Sequence, residues 1–144
     1  MKPGAAVTIK MADWSGDQAL LRSIREAVFV HEQNVPIELE WDGLDPHCAH
    51  VMAYAEGGRA VATGRLLPSG HIGRIAVLKP WRHQGIGSSV LRTLIALAEG
   101  RGLASCALNA QTHALAFYER HGFVAQGEEF DEAGIPHQHM VLKR

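Results

Sequence analysis

Cysteine is scarce in this chain: Cys48 and Cys106 are the only two among 144 residues. Two thiols make no disulfide framework, so a reducing compartment, the cytoplasm, is expected. Long apolar runs are also missing. None reaches the roughly 18 residues of a membrane span, and residues 1–7 turn polar too soon for a signal peptide. Nor does one sign of charge dominate, since the net charge is -1; the basic footprint of a nucleic-acid binder is absent. A hydrophobic content of 47% excludes intrinsic disorder, and the 15 glycines have no collagen period. What remains is one compact domain over residues 1–144, long enough to bury roughly 68–70% of its unfolded surface.

One absence is local. Between Arg25 and Arg59 there is no Lys or Arg, while the stretch holds Glu26, Glu32, Glu38, Glu40, Asp42, Asp45 and Glu56. Such a segment is either a solvated acidic loop or a surface that steers a cationic ligand. Residues 73–144 are slightly basic, with 8 basic against 6 acidic side chains.

Periodicity supplies the elements. Residues 6–11 alternate as a first strand. Ser15, with Gln18 three residues on, predicts a capping box for a helix whose apolar face is Leu20, Leu21, Ile24 and Val28. Residues 31–45 read as a long loop or short second helix. Strands at 51–55 and 60–67 are joined by Glu56-Gly57-Gly58-Arg59, and Pro68-Ser69-Gly70 turns into a strand at 72–77. Gly87, Val90, Leu91, Leu94 and Ala98 recur at helical spacing up to Gly100 and Gly102. A strand at 105–109 and a Thr112-capped helix to about Arg120 follow. Strands at 123–130 and 138–142 end the chain, joined through residues 131–136. The order β-α-βββ-α-β-α-ββ is that of an α/β (α+β) domain with a mixed sheet.

The feature with most chemistry is Arg82-His83-Gln84-Gly85-Ile86-Gly87, between the fourth strand and its helix. Glycines there let backbone N–H groups approach a ligand closely, and a helix N-terminus adds unpaired donors and partial positive charge. The expected ligand is an anion such as a pyrophosphate. A Walker loop is excluded because no Lys precedes Ser88. A dinucleotide fingerprint is excluded because Val90 stands where a third glycine is needed and no acidic residue follows at the required distance.

Arg82-x-x-Gly85-x-Gly87, after a strand ending Ile75-Ala76-Val77, resembles the acetyl-CoA pyrophosphate loop of the GNAT acyltransferases. About thirty residues on, Ala114-Leu115-Ala116-Phe117-Tyr118-Glu119-Arg120-His121-Gly122-Phe123 resembles that superfamily's A-x-x-F-Y-E-x-x-G-F signature. Residues 25–33, Asp42-Gly43-Leu44-Asp45 with His50, Leu108-Asn109-Ala110-Gln111 and residues 132–137 are similar to the ElaA-like branch of small bacterial GNAT proteins. Two departures are Gln111, where many members carry Asn, and His83, where many carry Gly. The resemblance implies a mostly antiparallel sheet of about 6–7 strands flanked by about 4 helices. It also implies acetyl-CoA as donor and an amine acceptor; no metal is expected, because the His and Cys spacings form no standard site. The donor site it implies is made by Ile75, Ala76, Val77, Arg82, His83, Gln84, Gly85, Ile86, Gly87, Ser88, Asn109, Gln111, Phe117 and Tyr118.

The resemblance further implies direct transfer without an acyl-enzyme. The thioester oxygen would then meet a backbone N–H, of Val77 or Leu78, and Tyr118 would serve the departing thiolate. Residue by residue, Tyr118 and Phe117 also read as core aromatics of an amphipathic helix. A lysine-like amine is almost wholly protonated at pH 7, costing about 4–5 kcal/mol in nucleophile population, so a base is useful. Candidates are Glu32, Glu38, Glu40, Asp42, Asp45, His50, Glu128 and His137, with Glu32 and His137 preferred. The acidic stretch suggests a small cationic amine, with Trp41 as a possible wall. A non-catalytic acyl-CoA sensor is the rival reading. His47, Cys48 and His50, like His137 and His139, match no standard zinc spacing, and both cysteines read as packing residues. A strand edge or helix face leaves a homodimer open.

Overall fold

The computed structural model describes residues 7–143. Strand β1 (Val7–Ala12) leads into helix α1 (Trp14–Arg25), which continues without a break as a π-helical segment (Glu26–Glu32). A short helix α2 (Ile37–Glu40) and the antiparallel strands β2 (Ala49–Ala55), β3 (Ala60–Leu66) and β4 (Ile72–Val77) follow. Then come helix α3 (Ile86–Gly100), strand β5 (Ser105–Gln111), helix α4 (Leu115–Glu119), and the hairpin β6 (Val124–Glu132) and β7 (Ile135–Lys143).

The expected strand and helix order holds, but the strands form two sheets. One is β1-β2-β3-β4, the other β5-β7-β6, and every pairing within them is antiparallel. Between β4 and β5 there is a single parallel bridge, His71 to Ala107. The mixed character predicted for the sheet is confined to that bridge, beyond which the two strands part and leave a gap.

Helix α3 covers one face of the four-stranded sheet through Val90, Leu91, Leu94 and Ala98, all essentially without solvent contact. It sits so close to β3 that a Cβ on Gly64 would lie 2.8 Å from both Leu94 and Val90 side chains; only glycine fits. Helix α1 covers the other face with Leu21 and Ile24, joined by Val28, whereas Leu20, expected on that face, is 46% exposed.

Asp13, not Ser15, caps α1. Its carboxylate accepts from the Gly16 N–H at 3.0 Å and from the Ser15 hydroxyl at 2.8 Å. A carboxylate at a helix N-terminus gains from the dipole as well as the hydrogen bond, which draws the start back by two residues. At the other end, the Gln33 N–H reaches Val28 O, a five-residue π step. The wider turn extends the helix to Glu32, into the predicted loop. Helix α4 starts later than predicted, after a 3₁₀ turn over Thr112–Ala114. The last hairpin turns on only Ala133 and Gly134, at φ 55° and 79°, the geometry of a type I′ turn. Both terminal strands are therefore longer than predicted.

In β4 the pairing with β3 slips by one residue between Thr63 and Arg65. The extra residue is taken up where Arg74 adopts φ 52°, a bulge that re-aims its side chain.

Candidate active site

The gap between β4 and β5 opens into a cleft of about 1320 Å³. Every residue expected to bind the donor lines it except Gln84, as do the preferred catalytic candidates Tyr118, Glu32 and His137. The Gln84 side chain turns back instead, its Nε2 lying 3.5 Å from Pro80 O.

The donor end is made of backbone. Helix α3 begins at Ile86 behind Gly85, whose φ is 81°, and no side chain caps it. Its first ladder bond is from Ser89 N–H to Gly85 O, so the N–H groups of Ile86, Gly87 and Ser88 have no intrahelical acceptor. All three residues face the cleft. A Cβ on Gly85 would meet nothing within 4 Å, so there is open space directly over these donors. His83 adopts φ 64°, which explains the glycine preference at this position, since a side chain there costs strain. The residues fit a pyrophosphate anion.

Arg82 is already partnered. Its Nε donates to Val77 O at 2.9 Å, and both terminal nitrogens meet the Glu32 carboxylate, one at 2.7 Å. The hydrogen bond from Arg82 holds the Glu32 carboxyl below its usual range. Glu32 is thus an ion-pair partner of the phosphate loop here and a weaker base than its exposure suggests. The next residue, Gln33, reaches across the cleft to Gln111, with amide contacts of 2.8 and 3.3 Å. The end of the π-helical segment therefore touches both walls, a position typical of π-helices at functional sites.

Val77 and Leu78 are not equivalent. The Leu78 N–H is consumed by Val61 O at 2.9 Å. Antiparallel pairing alternates, so Val77, opposite Ala62, turns its N–H away from β3 and toward the gap. Tyr118 stands against Phe117 and Phe123, with ring centroids 5.0 and 6.0 Å apart. Burial pushes its phenol up to about 12, so it stays protonated at neutral pH.

The far end of the cleft is built by the β6–β7 hairpin. His137 Nδ1 lies 2.7 Å from Ile135 O. A carbonyl only accepts, so Nδ1 carries a hydrogen, and in the neutral ring Nε2 is the nitrogen with the lone pair. That Nε2 is 3.8 Å from Glu132 Oε2. Glu132 is also 3.5 Å from the Asn109 amide, whose oxygen meets His139 Nδ1 at 2.9 Å. Sequence reading named His137 but missed Glu132; the signal was its place two residues before the hairpin's Gly134.

The other base candidates are spent or distant. Glu38 and Glu128 are exposed outside the cleft. Glu40, Asp42 and Asp45 enter a buried ionic cluster with Arg25, Arg65 and Arg74. Burial drives the His50 pKa down, and His50 stacks on Trp14 outside the cleft. With Glu32 paired too, four of the carboxylates that suggested a cationic ligand already have arginine partners. Trp41 contacts a cation, but an internal one: Arg22 and Arg25 each lie 4.8 Å from its ring. Neither cysteine lines the cleft, and burial raises both thiols. Among the described residues, no group of three or more His, Cys, Asp or Glu side chains is arranged to hold a metal.

Comparison with known proteins gives the chain its family. Residues 12–144 match the family model of the acetyltransferase (GNAT) domain. The chain is 42% identical over 122 residues to YjcF of Bacillus subtilis, described as an uncharacterised N-acetyltransferase, covering 82% of this chain and 86% of that one. It is 35% identical to the UPF0039 protein Mb2876c of Mycobacterium bovis, over 84% of this chain and 81% of that one. Among solved structures, an acyl-CoA N-acyltransferase from Pseudomonas aeruginosa superposes with a TM-score of 0.84 at 33% identity, covering 95% and 99% of the two chains. Escherichia coli ElaA superposes with a TM-score of 0.85 at 26% identity, covering 96% and 100%. An uncapped helix N-terminus over open space and a tyrosine held protonated beside it thus lie in a chain that belongs to the GNAT family of acyl-CoA N-acyltransferases.

Proposed function

We propose that this protein transfers the acetyl group of acetyl-CoA directly to the primary amine of a small molecule. The observation that carries the reading is the cleft itself, with three uncapped N–H groups of α3 at one end and the His137–Glu132 pair at the other. Acetyl-CoA enters as substrate and supplies an activated thioester. The amides of Ile86, Gly87 and Ser88 hold its pyrophosphate, and the Val77 N–H receives the carbonyl oxygen as negative charge develops there.

His137 Nε2 takes the proton that the amine must lose, and the neighbouring Glu132 carboxylate stabilises the imidazolium formed. One C–N bond forms as one C–S bond breaks, and CoA leaves as the thiol. Tyr118 donates a hydrogen bond to the departing sulfur. With its phenol near 12 and a thiol near 8.5, full proton transfer from Tyr118 would be uphill by about 5 kcal/mol. Its contribution is therefore hydrogen bonding, with the final proton coming from solvent or from the base.

The test is release of free CoA with a panel of primary amines, alongside thermal melting with acetyl-CoA. Saturation at roughly 100 times the dissociation constant adds about 2.7 kcal/mol of stability, several degrees at this length. Stabilisation without CoA release for any amine would favour the sensor alternative.

A further inference from the structure

We infer that the acceptor amine carries a carboxylate and that Arg74 binds it; this rests on the transferase reading above. Arg74 sits on the β4 bulge, lines the cleft, and keeps 23% of its side chain exposed. Its carboxylate neighbours each have another arginine as well. Asp45 is bound by Arg25 at 2.7 Å and Arg65 at 2.9 Å, Glu40 by Arg25 at 2.7 Å, and Asp42 by both terminal nitrogens of Arg65. Two arginines thus hydrogen-bond all three carboxylates, and Arg74 adds the third positive charge beside Glu40 and Asp42.

Arg74 is held only at a distance. Its Nη2 lies 3.3 Å from Glu40 O, 3.5 Å from Leu39 O and 3.3 Å from Asp42 Oδ2. Its Nε is buried and 3.2 Å from Glu40 Oε2, an ion-pair contact without hydrogen-bond alignment. Its Nη1 has no partner among the described residues. A guanidinium partly open to a cleft, with its Nη1 hydrogens unused, can take a carboxylate.

The surroundings define the rest of the ligand. His71, Glu132 and His137 line the same cleft as Arg74. Leu39 and Leu44, 53% and 41% exposed, line the rim beside Arg74. An amine to His137, a carboxylate to Arg74 and an apolar group to the leucines describe an α-amino acid with an aliphatic side chain.

The experiment uses L-leucine and L-leucinamide as probes, titrated calorimetrically into CoA-saturated protein. Leucine is expected to bind at least tenfold more tightly. Arg74→Gln should erase that difference, and Arg74→Lys should keep part of it. Equal binding of the two probes, no binding of leucine, or a preference that survives Arg74→Gln would overturn the inference. If Arg74→Gln fails to fold, the wild-type comparison and Arg74→Lys still decide. Acetyl transfer separates the two readings. Arg74-dependent leucine binding without transfer to any amine would sink the enzyme reading alone. Acetylation of amines with no preference for the acid over the amide would sink only this one.

Discussion

The two ends of the cleft are built from different materials. The donor end is backbone: glycines, a free helix N-terminus and a strand N–H, with one exposed ion pair, Glu32–Arg82, beside them. The proposed acceptor end is side chains: the His137–Glu132 pair, and Arg65, Arg74, Glu40 and Asp42 along the cleft, interlocked with Arg25 and Asp45 behind them. A backbone site depends on local chain geometry, so one residue that cannot adopt the geometry destroys it. A buried ionic site depends on balance, so removing one member leaves its partners charged and dry.

The largest effect should come at the donor end. Gly85→Val puts a branched side chain at φ 81° and into the open space over the α3 amides. Calorimetry should show at least a hundredfold loss of acetyl-CoA affinity. Gly102→Val, at φ 76° beyond the other end of α3, carries similar strain away from the cleft and should cost stability only. Unchanged affinity in Gly85→Val would move the donor elsewhere. At the acceptor end the reply is thermodynamic. Arg25→Met uncovers Glu40 and Asp45, and breaking such a buried pair costs about 3–5 kcal/mol, lowering Tm by roughly 10 °C. Glu32→Gln breaks an exposed pair worth about 1 kcal/mol or less, so its Tm should move by only a few degrees. Equal shifts in the two variants would mean that the ends do not differ as described.

The same contrast decides what was legible in the sequence. Gly85 and Gly87 stand within one short loop, and Tyr118 within one short helix, so spacing along the chain marked the proposed donor end of the cleft. Strand and helix order followed from alternation and from the α3 heptad-like face. The ionic cluster left a subtler trace. Arg25 follows Leu21 and Ile24 on the apolar face of α1, and Arg65 lies on a strand that is buried almost throughout; a charge at such positions signals a partner, but not which one. Its partners come from residues 40–45, joined to it only by folding. The carboxylates therefore read as a free acidic surface until their arginines appeared. The π-helical extension was hidden because its hydrogen-bond step leaves no distinct periodicity in seven residues.

Tyr118→Phe separates chemistry from support within the donor end. The Tyr118 hydroxyl makes no hydrogen bond to another described residue, and its ring packs on Phe117 and Phe123. Deleting the hydroxyl leaves no orphaned partner, so Tm should stay within about a degree or two. Acetyl-CoA affinity should change by no more than a few-fold, while kcat falls at least tenfold. Unchanged turnover would reduce Tyr118 to a core aromatic.

The smallest effect tests the acceptor end by pH. Burial draws His50 below its usual pKa, while its Nε2–H donates to Asp45 O at 2.9 Å. His71 and His121 are also shifted downward by burial. At these histidines an unfolded chain therefore takes up more protons than the folded one once pH drops below about 6.5, and their contribution to stability must fall as pH falls through that range. Asp42 and Asp45, whose carboxyls lie below their usual values beside Arg25 and Arg65, begin to lose their contribution only when the medium approaches the ordinary carboxylate range near pH 4. Glu40, whose carboxyl burial pushes above its usual value, acts in the opposite sense as it takes up a proton, so melting between pH 7 and 5 reads the histidines against it. His50→Gln should flatten the slope of Tm against pH there, whatever it does to the absolute Tm. A slope unchanged by that substitution would assign the acid sensitivity to His71 and His121, in the cleft and beside α3, and not to His50.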